Sequence, residues 1–510
     1  MRFVPIAPLV VLLVGVGLAA QSSPLWEEVP AVVPETATWT NKVEVADLNG
    51  DGRPDLLFAN GGDYSTPGKP EANGAYFNRG GRQPFEDRSA AVFGPSAGLA
   101  RVIKARDVNG DGHIDILVGT TYETQSRLYL GQGGGAFREV TATHVPQRPA
   151  SIGDLEFGDV DADGDLDVVL ADWGPGNNMS NDGGRTRLWL NDGAGKFSDA
   201  TEDRMPAALI RFSWDIEFVD VENDFDLDVL VSCKRCIGGY LFKNDGAGKF
   251  TQDGPGLPQY TNNYEYEPMD LDGDGFLDLV TINDGEIVRE RGADRREHVF
   301  RNDGKGRFRD ATAQWWPVEA NPGEDDNMVA FLDVDSDGDA DFVVGSLSGP
   351  DRLLINDGKG RLSLRADVFK GADTPGTLGL ALADLDGDGR MDVIQAQGEH
   401  PTAVQERVFF GSGLAPDTAP PVVSVPSVAE VPGAGPRVHA RVHDRKSPVL
   451  GTEFKRVEVE FTTSAGVQTM AMRWYGEYLW SADLPAGASL TRVCATDAAG
   501  LQTCQPAPRR

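Results

Sequence analysis

A nine-residue acidic pattern, D-x-[DN]-x-D-G-x-x-D, constrains this chain more than any other feature. It opens at Asp47 (DLNGDGRPD) and returns at Asp107 (DVNGDGHID), Asp159 (DVDADGDLD), Asp270 (DLDGDGFLD), Asp333 (DVDSDGDAD) and Asp384 (DLDGDGRMD). A degenerate seventh copy, DVENDFDLD, begins at Asp220. Successive starts lie alternately 60 to 63 and 50 to 52 residues apart, a long repeat that decides the architecture before any local reading. The flanks alternate apolar and polar residues, as in Val43-Glu-Val-Ala-Asp47 before the first loop and Asp55-Leu-Leu-Phe58 after it.

A second motif sits between the acidic loops. It reads LWLNDGAGKF from Leu188 to Phe197 and recurs at Leu241–Phe250 and Val299–Phe308, with variants at Tyr76–Phe85, Leu128–Phe137 and Leu353–Leu362. Alternating residues around a Gly-rich turn predict a strand, a tight hairpin and a strand. Each repeat is then four short antiparallel strands: A, acidic loop, B, connection, C, Gly turn, D. With no helical segment between repeats, seven such units predict an all-β fold, a seven-bladed β-propeller over residues 24–415. The last repeat ends at Arg407-Val-Phe-Phe410 and lacks the F-x-D-x-T strand present at Phe197–Thr201 and Phe308–Thr312. Trp26-Glu-Glu-Val29 stands at strand-D distance before Asp47, so the N-terminal strand is expected to complete the last blade and leave no open edge.

Side-chain oxygens at loop positions 1, 3 and 5, a carbonyl at 7 and a Gly at 6 suit Ca²⁺, which takes six to eight oxygens at about 2.3–2.6 Å. An EF-hand would need Glu at position 12 and flanking helices. Here position 12 is Phe58 and the last acid is Asp55 at position 9, so the ligand set bridges a β-hairpin. The expected ligands of the first three loops are Asp47, Asn49, Asp51, Asp55; Asp107, Asn109, Asp111, Asp115; and Asp159, Asp161, Asp163, Asp167. The last three contribute Asp270, Asp272, Asp274, Asp278; Asp333, Asp335, Asp337, Asp341; and Asp384, Asp386, Asp388, Asp392. In the fourth loop (Asp220, Glu222, Asp224, Asp228) Phe225 replaces the Gly, and a bulky residue at positive φ costs roughly 1–2 kcal/mol. That loop is expected to bind weakly or not at all.

Seven phased copies of these motifs over about residues 24–415 resemble the FG-GAP/VCBS repeat family, whose propeller is also that of integrin α-subunits. The resemblance implies six to seven structural Ca²⁺ ions on one face of the ring and a ligand on the opposite face.

The net charge of −32 argues against nucleic acid and anionic membranes as partners, and bound divalent cations would offset much of the self-repulsion. Met1-Arg2, an apolar run to Ala20 and a polar Gln21-Ser-Ser predict a signal peptide over 1–20. The expected product is a secreted monomer with no membrane span, free or associated with a cell surface. Four cysteines allow three pairings, of which Cys233–Cys236 and Cys494–Cys504 join the nearest neighbours. Residues 418–507 lack acidic loops and alternate in short runs, which predicts an Ig- or fibronectin-like β-sandwich. Its VCATDAAGLQTC end resembles the last hairpin of bacterial Ig-like modules.

The extra length of repeats one, three and five lies in their B–C connections, which contain Tyr64, Trp173, Asn177, Asn178, Arg289, Arg291, Arg295 and Arg296. Antiparallel strands turn alternately at two ends, so these connections lie opposite the acidic loops. On strand A, positions five and three before the loop point the same way. They are Asp154/Glu156, Asp215/Glu217 and Glu265/Glu267, with Trp214, Tyr264 and Tyr266 beside them. Two readings stay open: an acidic-aromatic mouth for a sugar or cationic ligand, or a solvated channel lining.

Function divides the same way. The expectation is a non-enzymatic binding or adhesion protein for an extracellular glycan or protein, with no catalytic residues. The alternative is a polysaccharide lyase or glycosidase, whose paired carboxylates would stand about 5–9.5 Å apart.

Overall fold

The computed structural model describes residues 24–508 except 35, 37, 255, 261, 284, 289–291, 371–375, 399–404, 431–434 and 450–452. The expected signal peptide, with Arg289 and Arg291, lies outside the described residues. The protein is all-β apart from a few single helical turns. Six consecutive four-stranded antiparallel sheets each hold one repeat, in the expected strand order A-B-C-D. The first, for example, is Thr40–Ala46, Asp55–Asn60, Gly74–Phe77 and Glu86–Asp87. These sheets have the form of propeller-like blades.

The A strands of successive repeats pack against one another in chain order, and that of the seventh, Thr377–Ala383, packs against that of the first. Six A strands carry a bulge at one place, such as between Thr40 and Lys42 or between Ile152 and Asp154. A bulge bends the strand and re-aims one side chain. In the first repeat that residue is Asn41, whose Nδ2 donates to Gly61 O (2.9 Å) and across to Ala100 O of the second repeat (2.8 Å).

The last sheet has five strands. Trp26–Glu28 lies antiparallel to Arg407–Phe410 and parallel to Phe369–Lys370. Trp26 is fully buried, stacks on Phe369 at 5.2 Å and donates from Nε1 to Met391 O at 2.9 Å. Glu28 pairs with Arg407 at 2.9 Å.

One expectation is corrected. Helical turns do follow several D strands, at Ser89–Phe93, Thr141–His144, Thr201–Arg204 and Thr312–Trp315. The F-x-D-x-T motif makes them: Asp199 Oδ1 accepts the Thr201 amide (3.0 Å), and Thr201 Oγ1 accepts the Leu188 amide of strand C (3.1 Å). A single turn is too short to carry a 3.6-residue period, so it reads as the end of a strand.

Past the repeats, two sheets enclose one apolar core of residues such as Val438, Ala440, Val459 and Val493. One orders Val422–Val423, Pro436–His443, Leu479–Asp483 and Arg473–Gly476; the other orders Gly466–Ala471, Phe454–Thr463, Ser489–Asp497 and Gln502–Pro506. Cys494 and Cys504 are cross-strand partners joined by a disulfide, and Cys233–Cys236 forms a second within a B–C connection. Among the described residues, no helix is long and apolar enough to cross a membrane.

Replacing Trp26 with Ala should destabilise the protein by about 3–5 kcal/mol, since it empties the seam between the chain's two ends. Denaturant unfolding measures this; an unchanged midpoint would show that the N-terminal strand does not hold the last sheet.

Candidate metal centres and the inner channel

Each acidic loop joins strands A and B and wraps its backbone around its first aspartate. Asp47 accepts the Gly50 amide at 2.8 Å and the Gly52 amide at 2.7 Å, one on each carboxylate oxygen; Asp270 takes those of Gly273 and Gly275, both at 2.9 Å. The position-6 residue has positive φ, as at Gly52 (82°) and Gly275 (88°), and Phe225 adopts the same conformation at 70°.

Carboxylate oxygens of Asp159/Asp161/Asp167, Asp270/Asp272/Asp278, Asp333/Asp335/Asp341 and Asp384/Asp386/Asp392 gather within 4.8 Å of one another. Oxygens about 2.3–2.6 Å from one ion can lie no more than about 5 Å apart, so these sets could hold a hard divalent cation. Asp161 Oδ1 is buried without a hydrogen-bond partner, an acceptor such an ion would satisfy.

The ninth residue has a further task. Asp55 accepts the Leu48 amide on Oδ2 (3.0 Å) and the Asn78 amide on Oδ1 (2.7 Å), tying the loop to the end of strand C. Asp278 does the same with Leu271 (3.2 Å) and Asn302 (2.8 Å), and all seven repeats share the pattern. Burial pushes Asp167, Asp278, Asp341 and Asp392 up to about 8, and the other loop carboxylates push the same way against the two amide bonds.

The Asn after strand C reaches further. Asn302 Nδ2 donates to Val221 O in the preceding loop at 2.9 Å, and Asn356 to Leu271 O at 2.9 Å. Asn191 and Asn244 repeat this, while Asn78 reaches Leu385 O at 2.8 Å and so links the first repeat to the seventh. The second and seventh repeats have Gly131 and Gly411 here, where a Cβ would come within 2.4 and 2.5 Å of a backbone carbonyl.

The strand-A acids meet inside the ring of A strands. Asp154, Asp215 and Glu265 are buried, and Lys42 Nζ lies 3.1 Å from Asp154 and 3.9 Å from Asp215. Lys104 pairs with Glu156, and Arg106 pairs with Glu44 at 2.6 Å. Burial pushes Asp215, Glu217 and Glu265 well above the usual carboxylate range and Glu267 to about 8. Although burial opposes its charge, Asp154, Asp215 and Glu265 hold the Lys42 ammonium above its ordinary value.

Both ends of this channel are covered. At the loop end, Ser447, Val449, Trp474 and Glu477 of the C-terminal module line the same cavity as Glu156, Glu217 and Glu267. At the other end Trp173, Trp214 and Tyr264 are buried, with Arg101 3.9 Å over the Trp214 ring and Lys234 3.9 Å over Tyr264. Of the two readings left open by the sequence, the burial of Asp154, Trp173, Trp214, Asp215, Tyr264, Glu265 and Glu267, with Glu156 and Glu217 in the same cavity, favours a channel lining over an open mouth. These residues come together as a capped interior in which Asp154, Asp215 and Glu156 face lysines. Lys42 and Lys104 occupy the same two register positions in repeats one and two, and aligning all seven A strands would have found them.

A model described as an FG-GAP-like repeat matches residues 107–170, 270–344 and 333–394. The chain carries FG-GAP-like repeats. No curated protein sequence matches it. Among solved structures it is similar to an Agrocybe aegerita lectin that recognises non-reducing terminal N-acetylglucosamine (18% identity, 64% of this chain, 80% of the lectin, TM-score 0.40). It is also similar to the V. cholerae biofilm matrix protein Bap1 (14%, 94% and 61%, TM-score 0.35) and to the exotype rhamnogalacturonan lyase YesX (14%, 76% and 75%, TM-score 0.41).

Lys42 of the first repeat and Asp154 and Asp215 of the third and fourth form one buried ion cluster in the channel. Lys42→Met should leave Asp154 and Asp215 buried without their cation and destabilise the protein by about 3–5 kcal/mol at pH 7. Burial raises the folded pKa of Asp215, so its destabilising effect is lost as pH falls and the deficit should shrink at pH 5. Chemical denaturation at both pH values measures it; an equal deficit at both would place the loss elsewhere.

Proposed function

We propose that the chain is a secreted, calcium-clasped seven-bladed β-propeller of the FG-GAP/VCBS type with an Ig/fibronectin-like sandwich, and that it binds an extracellular glycan or protein rather than catalysing a reaction. The observation that carries this reading is the capped channel. Three of its carboxylates, Asp154, Glu156 and Glu44, are paired with Lys42, Lys104 and Arg106, burial disfavours the charge of the others, and aromatic residues and the C-terminal module cover its ends. A glycosidase or lyase at that mouth would need free carboxylates open to a polymer.

Calcium fits the loops beginning at Asp47, Asp107, Asp159, Asp270, Asp333 and Asp384, through their residues at positions 1, 3, 5 and 9. The ion would neutralise clustered carboxylates and fix each A–B hairpin. Extracellular modules hold Ca²⁺ at about 10⁻⁴–10⁻³ M, which suits a structural ion. The ligand surface belongs at the opposite end, where the connections expose Leu209 (51%), Ile237 (66%) and Val318 (62%). Connecting loops on a rigid scaffold are the usual place for binding residues.

Chelation with EGTA should lower the melting temperature by on the order of 10 °C, and excess Ca²⁺ should restore it. A melting temperature indifferent to chelation would defeat the calcium reading. Incubation with a polysaccharide panel should give no turnover, whereas a glycan and surface-protein array should give binding that Ile237→Glu weakens. Turnover abolished by Glu156→Gln or Glu217→Gln would overturn the binding reading.

A further inference from the structure

The fourth loop departs from its relatives at two positions, and the C-terminal module meets it there. Arg441 Nη2 donates to Asp220 Oδ2 (3.1 Å), to Asp220 O (3.2 Å) and to Asn223 Oδ1 (2.5 Å), while Nη1 donates to Gly275 O of the next loop (3.1 Å). The side chains of this pair are 5% and 1% exposed. Other arginines also touch loop acids, and Arg473 of the same module donates to Asp159 Oδ2 of the third loop (2.8 Å), but Arg53, Arg301 and Arg473 are 43%, 49% and 44% exposed. Such surface pairs contribute little and can swing away. Arg441 is fixed.

The rest of the loop agrees. Glu222 faces Lys243 Nζ at 3.1 Å, so two protein cations offset the charge that one divalent ion would offset elsewhere. Among the described residues, the carboxylates of Asp220, Glu222 and Asp228 do not gather within 4.8 Å as those of the four all-aspartate loops do. Phe225, in place of the Gly, stacks on His439 of the module at 5.9 Å.

A wider pattern supports a docking role. Arg473, Tyr475, Arg441 and Arg445 of the module donate to the position-6 carbonyls of four consecutive loops: Gly164, Phe225, Gly275 and Gly338 respectively. Arginine presents several donors in a planar fork and keeps its charge when buried, which suits it to a nest of carbonyl and carboxylate oxygens.

We propose that Arg441 takes the place of the cation in the fourth loop, which makes that loop the socket for the C-terminal module and not a metal site. This rests on the reading of the other loops as calcium sites. Native mass spectrometry of the full chain in Ca²⁺ should count six ions. Asp224→Asn in loop four should leave the count unchanged, while Asp274→Asn at the same position of loop five should lower it by one. A loss of one ion in Asp224→Asn overturns the proposal. A count unmoved by both variants is a failure of the calcium reading instead.

A second arm does not depend on metal. Arg441→Met should speed proteolysis of the linker at residues 415–420 at least tenfold, and Arg441→Lys, which keeps the charge but loses the fork, should fall between. Cleavage of Arg441→Met at the wild-type rate removes the socket. Should Arg441→Met fail to fold, the two ion counts still decide whether loop four holds a metal.

Discussion

The fold depends first on a carboxylate that accepts two backbone amides at once. The ninth residue of each acidic loop, such as Asp278, takes one amide from its own loop and one from the end of strand C. Without it the loop would be held to its sheet only by the A–B hairpin. With it, the loop backbone is fixed tightly enough for the neighbouring repeat to use: Asn356 of the sixth repeat donates to Leu271 O, the carbonyl of the residue whose amide Asp278 holds. The chain of dependence runs from carboxylate to loop to neighbour. Asn78 carries it from the first repeat to the seventh, where the Trp26 strand completes the last sheet.

Charge is the second constraint, and the protein meets it differently in two places. Along the A strands, buried acids of repeats three to five face lysines from repeats one and two, so partners distant in sequence neutralise one another. A buried pair of this kind is weak evidence of net stability, but removing one partner is expensive. At the outer loops, among the described residues, the buried cation comes from outside the repeats, where Arg441 of the C-terminal module enters the fourth loop beside the Lys243–Glu222 pair. That contrast sets the fourth loop apart from the other six.

How much of this was legible in the sequence follows from the reach of each interaction. The acidic loops, the four-strand order and the pairing of Trp26-Glu-Glu with Arg407–Phe410 rest on local alternation and on a period, both visible in one chain. The helical turns after strand D were too short to show a period. The Asn after strand C marked a turn, yet its bond to a loop about 80 residues earlier leaves no local trace. Lys42 and Lys104 stand in the same register as the acids but in other repeats, so their pairing with Asp154 and Glu156 leaves no local trace and the interior reads as a one-sided acidic mouth.

The C-terminal module breaks the symmetry of the ring. It donates to the position-6 carbonyls of loops three to six and, among the described residues, not to those of Gly52, Gly112 and Gly389 in loops one, two and seven. These three loops belong to the repeats on either side of the seam, where Trp26–Glu28 joins the sheet of the seventh repeat. A docked module thus braces the part of the ring whose covalent connections are continuous. The seam relies on Trp26, on the Asn78–Leu385 bond and on whatever the loops at Asp47, Asp107 and Asp384 hold. On the proposed calcium reading, loss of ions should loosen the molecule first at loops one and two, because among the described residues the module donates to neither of their position-6 carbonyls.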